Sequence, residues 1–270
     1  MQVYEERHKK INGNTLKIIA CISMLIDHIT AGIMLPVVRA GLYPDTVSID
    51  DLNTLYKILR GIGRTAFPIF CFLLVEGFIH SRNRLRYALG LLLFGLISEP
   101  LFDICFYSKN EVFNINPLEV LSANRELLSE HCNVYFTLLL GLLVMWGIEY
   151  VLAFSRKNNL SIIISYFFCA VVAGAGIYLA EYLHTDYHGF GVALIAILYV
   201  FRNYVPINLV AAFLFISNMG TEYLSFPGFI LLFFYNKKRG RRLGRLKYIF
   251  YGFYPAHILF IYFFRCILFG

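Results

Sequence analysis

A chain of 270 residues that is 59% hydrophobic, 17% aromatic and only 15% charged cannot cover its surface as a soluble domain does. Such a domain carries about a quarter of its residues as charges. The formal net charge of +7 sits between apolar blocks, where it is a topology signal and not a nucleic-acid-binding face.

The apolar blocks run for roughly 18–22 residues, the length that crosses about 30 Å of hydrocarbon. Lipid offers no partner to backbone N–H and C=O groups, so blocks of this kind are helices. The dyad alternation of a barrel is absent. Spans are expected at about 15–36, 61–80, 86–107, 133–154, 161–182, 188–202, 205–219, 221–235 and 248–268, the sixth to eighth being short with soft boundaries, and a re-entrant segment being the alternative for one of them. The fold class is all-α: a polytopic integral membrane helical bundle of about nine transmembrane helices, one domain over 1–270. The first block follows a polar lead (Glu5, Glu6, Arg7, Lys9, Lys10) and contains Lys17, Asp27 and His28, so it is a retained span and not a cleavable signal.

Basic clusters orient the bundle. Arg82, Arg84 and Arg86, then Arg156 and Lys157, then Arg202, then the run from Lys237 to Lys247 share one side. By the positive-inside rule that side, with the N-terminus, is cytoplasmic, as expected of a multi-pass protein of the bacterial cytoplasmic (inner) membrane. The segments 37–60 and 108–132 are then the long outer connections. The six cysteines show no CxxC spacing and read as small buried hydrophobes. Cys105 and Cys132, flanking one outer segment, are the pair placed to bridge.

Ionisable groups at bilayer depth cost several kcal/mol unless paired or hydrated, and each marks a functional position. In the first helix Lys17 and His28 lie about 20° apart around the axis and about 16 Å apart along it. A cation at the inner leaflet and an imidazole at mid-depth suit a tunnel for an anionic cofactor. Imidazole can serve as a general base, its tautomer held by an adjacent or cross-helix carboxylate, of which Asp27 is one. The structural alternative makes Lys17 a snorkelling anchor and Asp27–His28 a hydrogen-bonding pair.

The second helix opens with Gly61-Ile62-Gly63-Arg64-Thr65-Ala66-Phe67-Pro68 and closes with Glu76-Gly77-Phe78-Ile79-His80. Glu76 and His80 share a face, and Arg64 is expected to meet Glu99 or Asp103 of the third helix. Asn133 and Thr137 open the fourth helix, where Asn133 also fits a helix cap. His184, Asp186 and His188 form an outer interfacial turn whose spacing lacks a convincing third metal ligand. In the last helix Pro255 frees backbone groups close to Tyr254 and His257.

Taken in order, these segments resemble the TraX family. The matching pieces are Ile26-Asp27-His28-Ile29, Gly63-Arg64-Thr65-Ala66-Phe67-Pro68-Ile69-Phe70 with Glu76-Gly77 and His80, and Ile97-Ser98-Glu99-Pro100. Asn133 with Phe136-Thr137-Leu138 follows, then Asp186-Tyr187 with Gly189 and Gly191, then Phe253-Tyr254-Pro255 with His257. The family's namesake acetylates the N-terminal amine of conjugative pilin, and the family is similar to the broader transmembrane acyltransferases. Those share a basic residue and a histidine spaced as Lys17 and His28 are here. One departure is His188, which stands where the family pattern places glycine directly after Asp-Tyr.

The resemblance implies a membrane acetyltransferase with acetyl-CoA as co-substrate and no metal. The lipid bilayer and an extracytoplasmic acceptor amine or hydroxyl are its other partners. It implies His28 as base with Asp27 orienting the ring, and Asn133, Thr137 or Tyr254 as oxyanion donor. Lys17, Arg64, Glu76, His80, Tyr254 and His257 would face the cofactor. A proton-coupled transporter built on the same buried carboxylates and histidines is the chief alternative, and a non-enzymatic assembly factor is another.

Overall fold

The computed structural model describes residues 10–127, 130–241 and 247–270. Glu5, Glu6, Arg7 and Lys9 of the polar lead and Arg242 and Arg245 of the basic run lie outside the described residues. The described residues are predominantly helical and hold no named strand, only two isolated bridges, Ile11 with Tyr235 and Cys132 with Thr185.

The helices are α1 (Gly13–Ile29), α2 (Leu35–Arg39), α3 (Ile49–Gly63), α4 (Ala66–His80), α5 (Arg84–Phe102) and α6 (Pro117–Ala123). They continue with α7 (Val134–Lys157), α8 (Ile162–Tyr182), α9 (His188–Val200), α10 (Ile207–Ile216), α11 (Phe226–Phe233) and α12 (Lys247–Phe269). Two π-helical turns, Thr30–Met34 and Asp103–Tyr107, extend α1 and α5. The starts are built by polar side chains that satisfy the first free N–H groups. Asn12 accepts from Asn14 and Thr15, Ser48 from Asp50, Asn133 from Tyr135 and Ser161 from Ile164.

Six helical stretches are long and apolar enough to cross a membrane: Gly13–Arg39, Ile49–His80, Arg84–Tyr107, Val134–Lys157, Ile162–Tyr182 and Ile249–Phe269. The protein is thus a polytopic helical membrane protein. The expected sixth to eighth spans are helices of 13, 10 and 8 residues. Even the longest of these rises only about 20 Å, so none crosses about 30 Å of hydrocarbon by itself.

The expected outer connection at 37–60 differs from expectation more sharply. Its second half is α3, capped by Ser48 with Asp50 and Asp51 in the first turn, and only Arg64 and Thr65 separate it from α4. Acidic groups there suit the positive end of the helix dipole. Hydropathy alone hides α3, because Asp50, Asp51, Lys57 and Arg60 interrupt its apolar residues.

The helices gather into two compact units with interleaved sequences. The first is Met1–Phe70, Leu96–Ser129 and Ser217–Gly270; the second is Cys71–Gly95 and Glu130–Ile216. In the first, α1 packs along α3, and α12 lies against α1 and both π-helical turns. Arg265 of α12 is wholly buried and donates to the carbonyls of Gly32 (2.8 Å), Cys105 (2.8 Å) and Ile104 (3.2 Å), which belong to the two π-helical turns. A π-helical turn disturbs the regular i→i−4 ladder, and the guanidinium supplies its carbonyls with donors. Tyr262 adds a bond of 2.6 Å to the Asn114 carbonyl, anchoring the segment between α5 and α6. Asn124 closes that segment on itself by accepting from the N–H groups of Lys109 and Asn110.

In the second unit α7, α8 and α9 pack mutually, and a Cβ added at Gly176 would overlap Val144. Small residues of this kind let helices approach closely in lipid. Arg84 pairs with Glu149 at 2.8 Å and lies 4.3 Å over the Phe78 ring.

Candidate functional site

The first unit gathers aromatic and ionisable side chains around His28. His28 Nδ1 stands 2.6 Å from Nε2 of His257, with the two rings nearly parallel at 12°. His257 Nδ1 in turn lies 2.6 Å from the carbonyl oxygen of Phe253. A carbonyl can only accept, so His257 carries its proton on Nδ1 and its Nε2 is the acceptor. His28 therefore donates from Nδ1, and its own Nε2 keeps a lone pair. Phe106 at 4.9 Å and Tyr254 at 5.7 Å complete the ring's surroundings. With both rings neutral, His28 Nε2 keeps a basic lone pair that no hydrogen bond among the described residues consumes.

Asp27 does not hold that ring. Its carboxylate meets Arg60 of α3 at 2.5 Å, and its other oxygen is buried without a hydrogen-bond partner among the described residues. Successive residues diverge by about 100° around a helix, so Asp27 points to α3 while His28 points to α12. Arg64 differs from expectation as well. It pairs with Glu222 at 3.1 Å, a carboxylate beyond the third helix in which its partner was expected. Both ion pairs lie within electrostatic reach of the imidazole.

At the other end of α1, Lys17 lies 5.5 Å over the ring of Phe250, with Arg239 in electrostatic reach. The first turn of α1 is zipped to the basic loop: Gly13 N–H donates to Lys238 O at 2.9 Å and Asn14 N–H to Arg239 O at 3.1 Å. Asn14 Nδ2 reaches Arg241 O at 2.8 Å. One helix thus carries a cationic cluster at its start and the imidazole about 16 Å along.

Four of the predicted residues belong to the second unit. Asn133 caps α7 and its Nδ2 donates to Gly95 O at 2.9 Å, so both ends of its amide are engaged. Thr137, one turn on, is fully buried and its hydroxyl has no hydrogen-bond partner among the described residues. His80 Nδ1 faces the backbone carbonyl of Glu76 at 2.8 Å, so the hydrogen bond between them uses the Glu76 main chain.

The turn after α8 brings together the rings of His131, His184 and His188, adjacent centroids being 6.3 Å apart. Burial pulls His131 below its ordinary range, Glu130 opposes this, and His184 and His188 reinforce it. No group of three His, Cys, Asp or Glu among the described residues is placed to hold a metal ion. His184 takes a left-handed conformation (φ 46°) at the end of α8, where Thr185 N–H returns to Ala180 O. No disulfide joins any of the six cysteines; Cys105 is buried in the first unit against Gly32, and Cys132 belongs to the second.

The TraX protein family model matches residues 12–265, from the cap of α1 to the buried arginine of α12. This chain belongs to the TraX family. A relative in Dichelobacter nodosus, named probable fimbrial assembly protein FimC, serogroup H1, is 32% identical over 249 residues, covering 90% of this chain and 91% of the relative. No solved structure matches.

Within this TraX-family chain the structure draws Lys17, Asp27, His28, Arg64, Tyr254 and His257 into one unit. Sequence reasoning passed over Arg60 and Glu222. Arg60 falls three residues before Gly63 in a segment expected to be a loop, and the Ser48-Ile-Asp-Asp start of α3 was the signal that it is helical. Glu222 precedes Phe226-Pro227 in a short turn and carries no signal of its own.

Proposed function

We propose that this protein is a membrane-embedded acyltransferase. It moves an acetyl group from cytoplasmic acetyl-CoA to an amine or hydroxyl of an acceptor on the outer side. The observation that carries this reading is the relay His28–His257–Phe253 carbonyl, which leaves His28 Nε2 unprotonated on the helix that also carries Lys17.

The phosphates of the donor bind at Lys17 and the neighbouring basic loop, and the pantetheine arm runs along α1 towards mid-depth. The acceptor nitrogen or oxygen adds to the thioester carbonyl carbon as Nε2 takes its proton. The carbon–sulfur bond then breaks, and the imidazolium returns the proton to the departing thiolate. His257 accepts from Nδ1–H throughout and stabilises the imidazolium that forms. General base catalysis of this kind contributes about 10²–10⁴ in rate.

Membership of the TraX family and a relative named for fimbrial assembly support an acceptor associated with the pilus, such as the amino terminus of a pilin-like subunit. The bacterial cytoplasmic membrane is the setting in which donor and acceptor would meet from opposite sides.

The test is calorimetric binding of acetyl-CoA to detergent-purified wild type, Lys17→Ala and His28→Ala. Wild type binds with a phosphate-dependent affinity, Lys17→Ala loses most of it, and His28→Ala keeps binding while losing acetyl transfer. A folded wild type that binds no acetyl-CoA overturns the reading, and counterflow of a labelled solute in liposomes would then establish a transporter.

A further inference from the structure

Arg60 has no task in the mechanism above, yet it is clasped to the residue preceding the base. Its Nη1 holds Asp27 at 2.5 Å, and among the described residues no protein acceptor meets its Nε or Nη2. The side chain keeps 24% of its surface exposed. It lies within electrostatic reach of His28. A guanidinium is always charged and presents five N–H groups in a rigid plane. With one arm tied down, the free arm is preorganised and needs no rearrangement to meet a developing negative charge.

Two arrangements fix this placement. Asp27 and His28 are consecutive on α1, so a single turn of helix sets both the base and the anchor of the guanidinium. Gly63, one turn beyond Arg60, lies where a Cβ would overlap the Asp27 carboxylate, so α3 approaches α1 only with glycine there. The other named donors fit less well: Asn133 and Thr137 belong to the second unit, the Asn133 amide being engaged at both ends, and Tyr254 stands edge-on to the ring at 5.7 Å.

We propose that Arg60 is a catalytic residue that holds the oxyanion of acyl transfer. Its free N–H groups donate to the acetyl oxygen as the acceptor adds to the carbonyl carbon and His28 Nε2 takes the acceptor's proton. The oxyanion's electron pair then re-forms the carbonyl, the carbon–sulfur bond breaks, and the thiolate takes the proton from His28. This assignment rests on the acyltransferase reading.

The experiment follows thiol release from acetyl-CoA with hydroxylamine as the acceptor, in wild type, Arg60→Ala, Arg60→Lys and Tyr254→Phe, beside calorimetric acetyl-CoA binding and thermal melting. Loss of a preorganised oxyanion donor costs about 10²–10³ in kcat. Arg60→Ala is expected to show that loss with acetyl-CoA affinity unchanged, and guanidinium ion added to it restores part of the rate while leaving His28→Ala inactive. Should Arg60→Ala fail to fold, Arg60→Lys retains the ion pair without the fork and shows the same fall in kcat. Three results overturn the proposal: kcat of both variants within about threefold of wild type, a rise in acceptor KM alone, or the loss falling on Tyr254→Phe instead. A wild type that binds no acetyl-CoA defeats the acyltransferase reading itself, which separates the two failures.

Discussion

At Gly63 the backbone of α3 runs against the carboxylate of Asp27, and the absence of a side chain there keeps Asp27, Arg60 and the His28 turn together. Gly63→Ala is expected to cost about 1–3 kcal/mol, the penalty of overpacking. The measurement is a melting curve in detergent, followed by maleimide labelling of the buried cysteines; an unchanged midpoint would show that α1 and α3 do not pack this closely. The neighbouring chemistry divides by what neighbours supply. The spacing of Lys17 and His28 on one helix face is legible from periodicity alone, and so is the presence of a histidine beside Pro255. The tautomer of His28 is not, because it depends on a partner 229 positions away and on that partner's bond to a carbonyl.

Among the elements, the two π-helical turns and α12 depend on one another. Arg265 is a buried cation that donates to three backbone carbonyls of those turns. Arg265→Met keeps much of the side-chain volume and removes three charge-assisted hydrogen bonds, with an expected cost of about 2–4 kcal/mol. Chemical denaturation in micelles measures this, and Cys105 and Cys266 are expected to react faster with maleimides in the variant. A loss below about 0.5 kcal/mol would mean that water satisfies those carbonyls instead. The apolar runs of α1, α4, α5, α7, α8 and α12 declare themselves by length and hydropathy. Helix α3 does not, since its polar residues dilute the apolar signal even though Ser48 and the acids of its first turn form a legible start. The π-helical turns have no sequence mark: Thr30–Met34 and Asp103–Tyr107 share no pattern, and packing around Arg265 is what favours them.

Taken as a whole, the chain is a membrane protein whose orientation follows from where lysine and arginine collect. An alkaline phosphatase reporter fused after Asn116 should be active, and one fused after Arg241 inactive, since only the first is expected outside. The reverse pattern would place Lys17 at the outer face and defeat the assignment of a cytoplasmic donor. Composition and block length suffice for the membrane class and the helical fold, because the bilayer penalises any other arrangement of such apolar blocks; the family rests instead on the ordered motifs around His28, Arg64, Glu99, Asn133, Asp186 and His257. They also suffice to nominate His28 and Lys17, since ionisable groups inside those blocks are costly enough to be conspicuous. Which charge meets which is another matter. The pairings Asp27–Arg60, Arg64–Glu222 and His28–His257 join helices that are far apart in sequence, and helix periodicity carries no information about which helices are neighbours. Three-dimensional packing chose those partners, and with them the nitrogen of His28 that is left free to act.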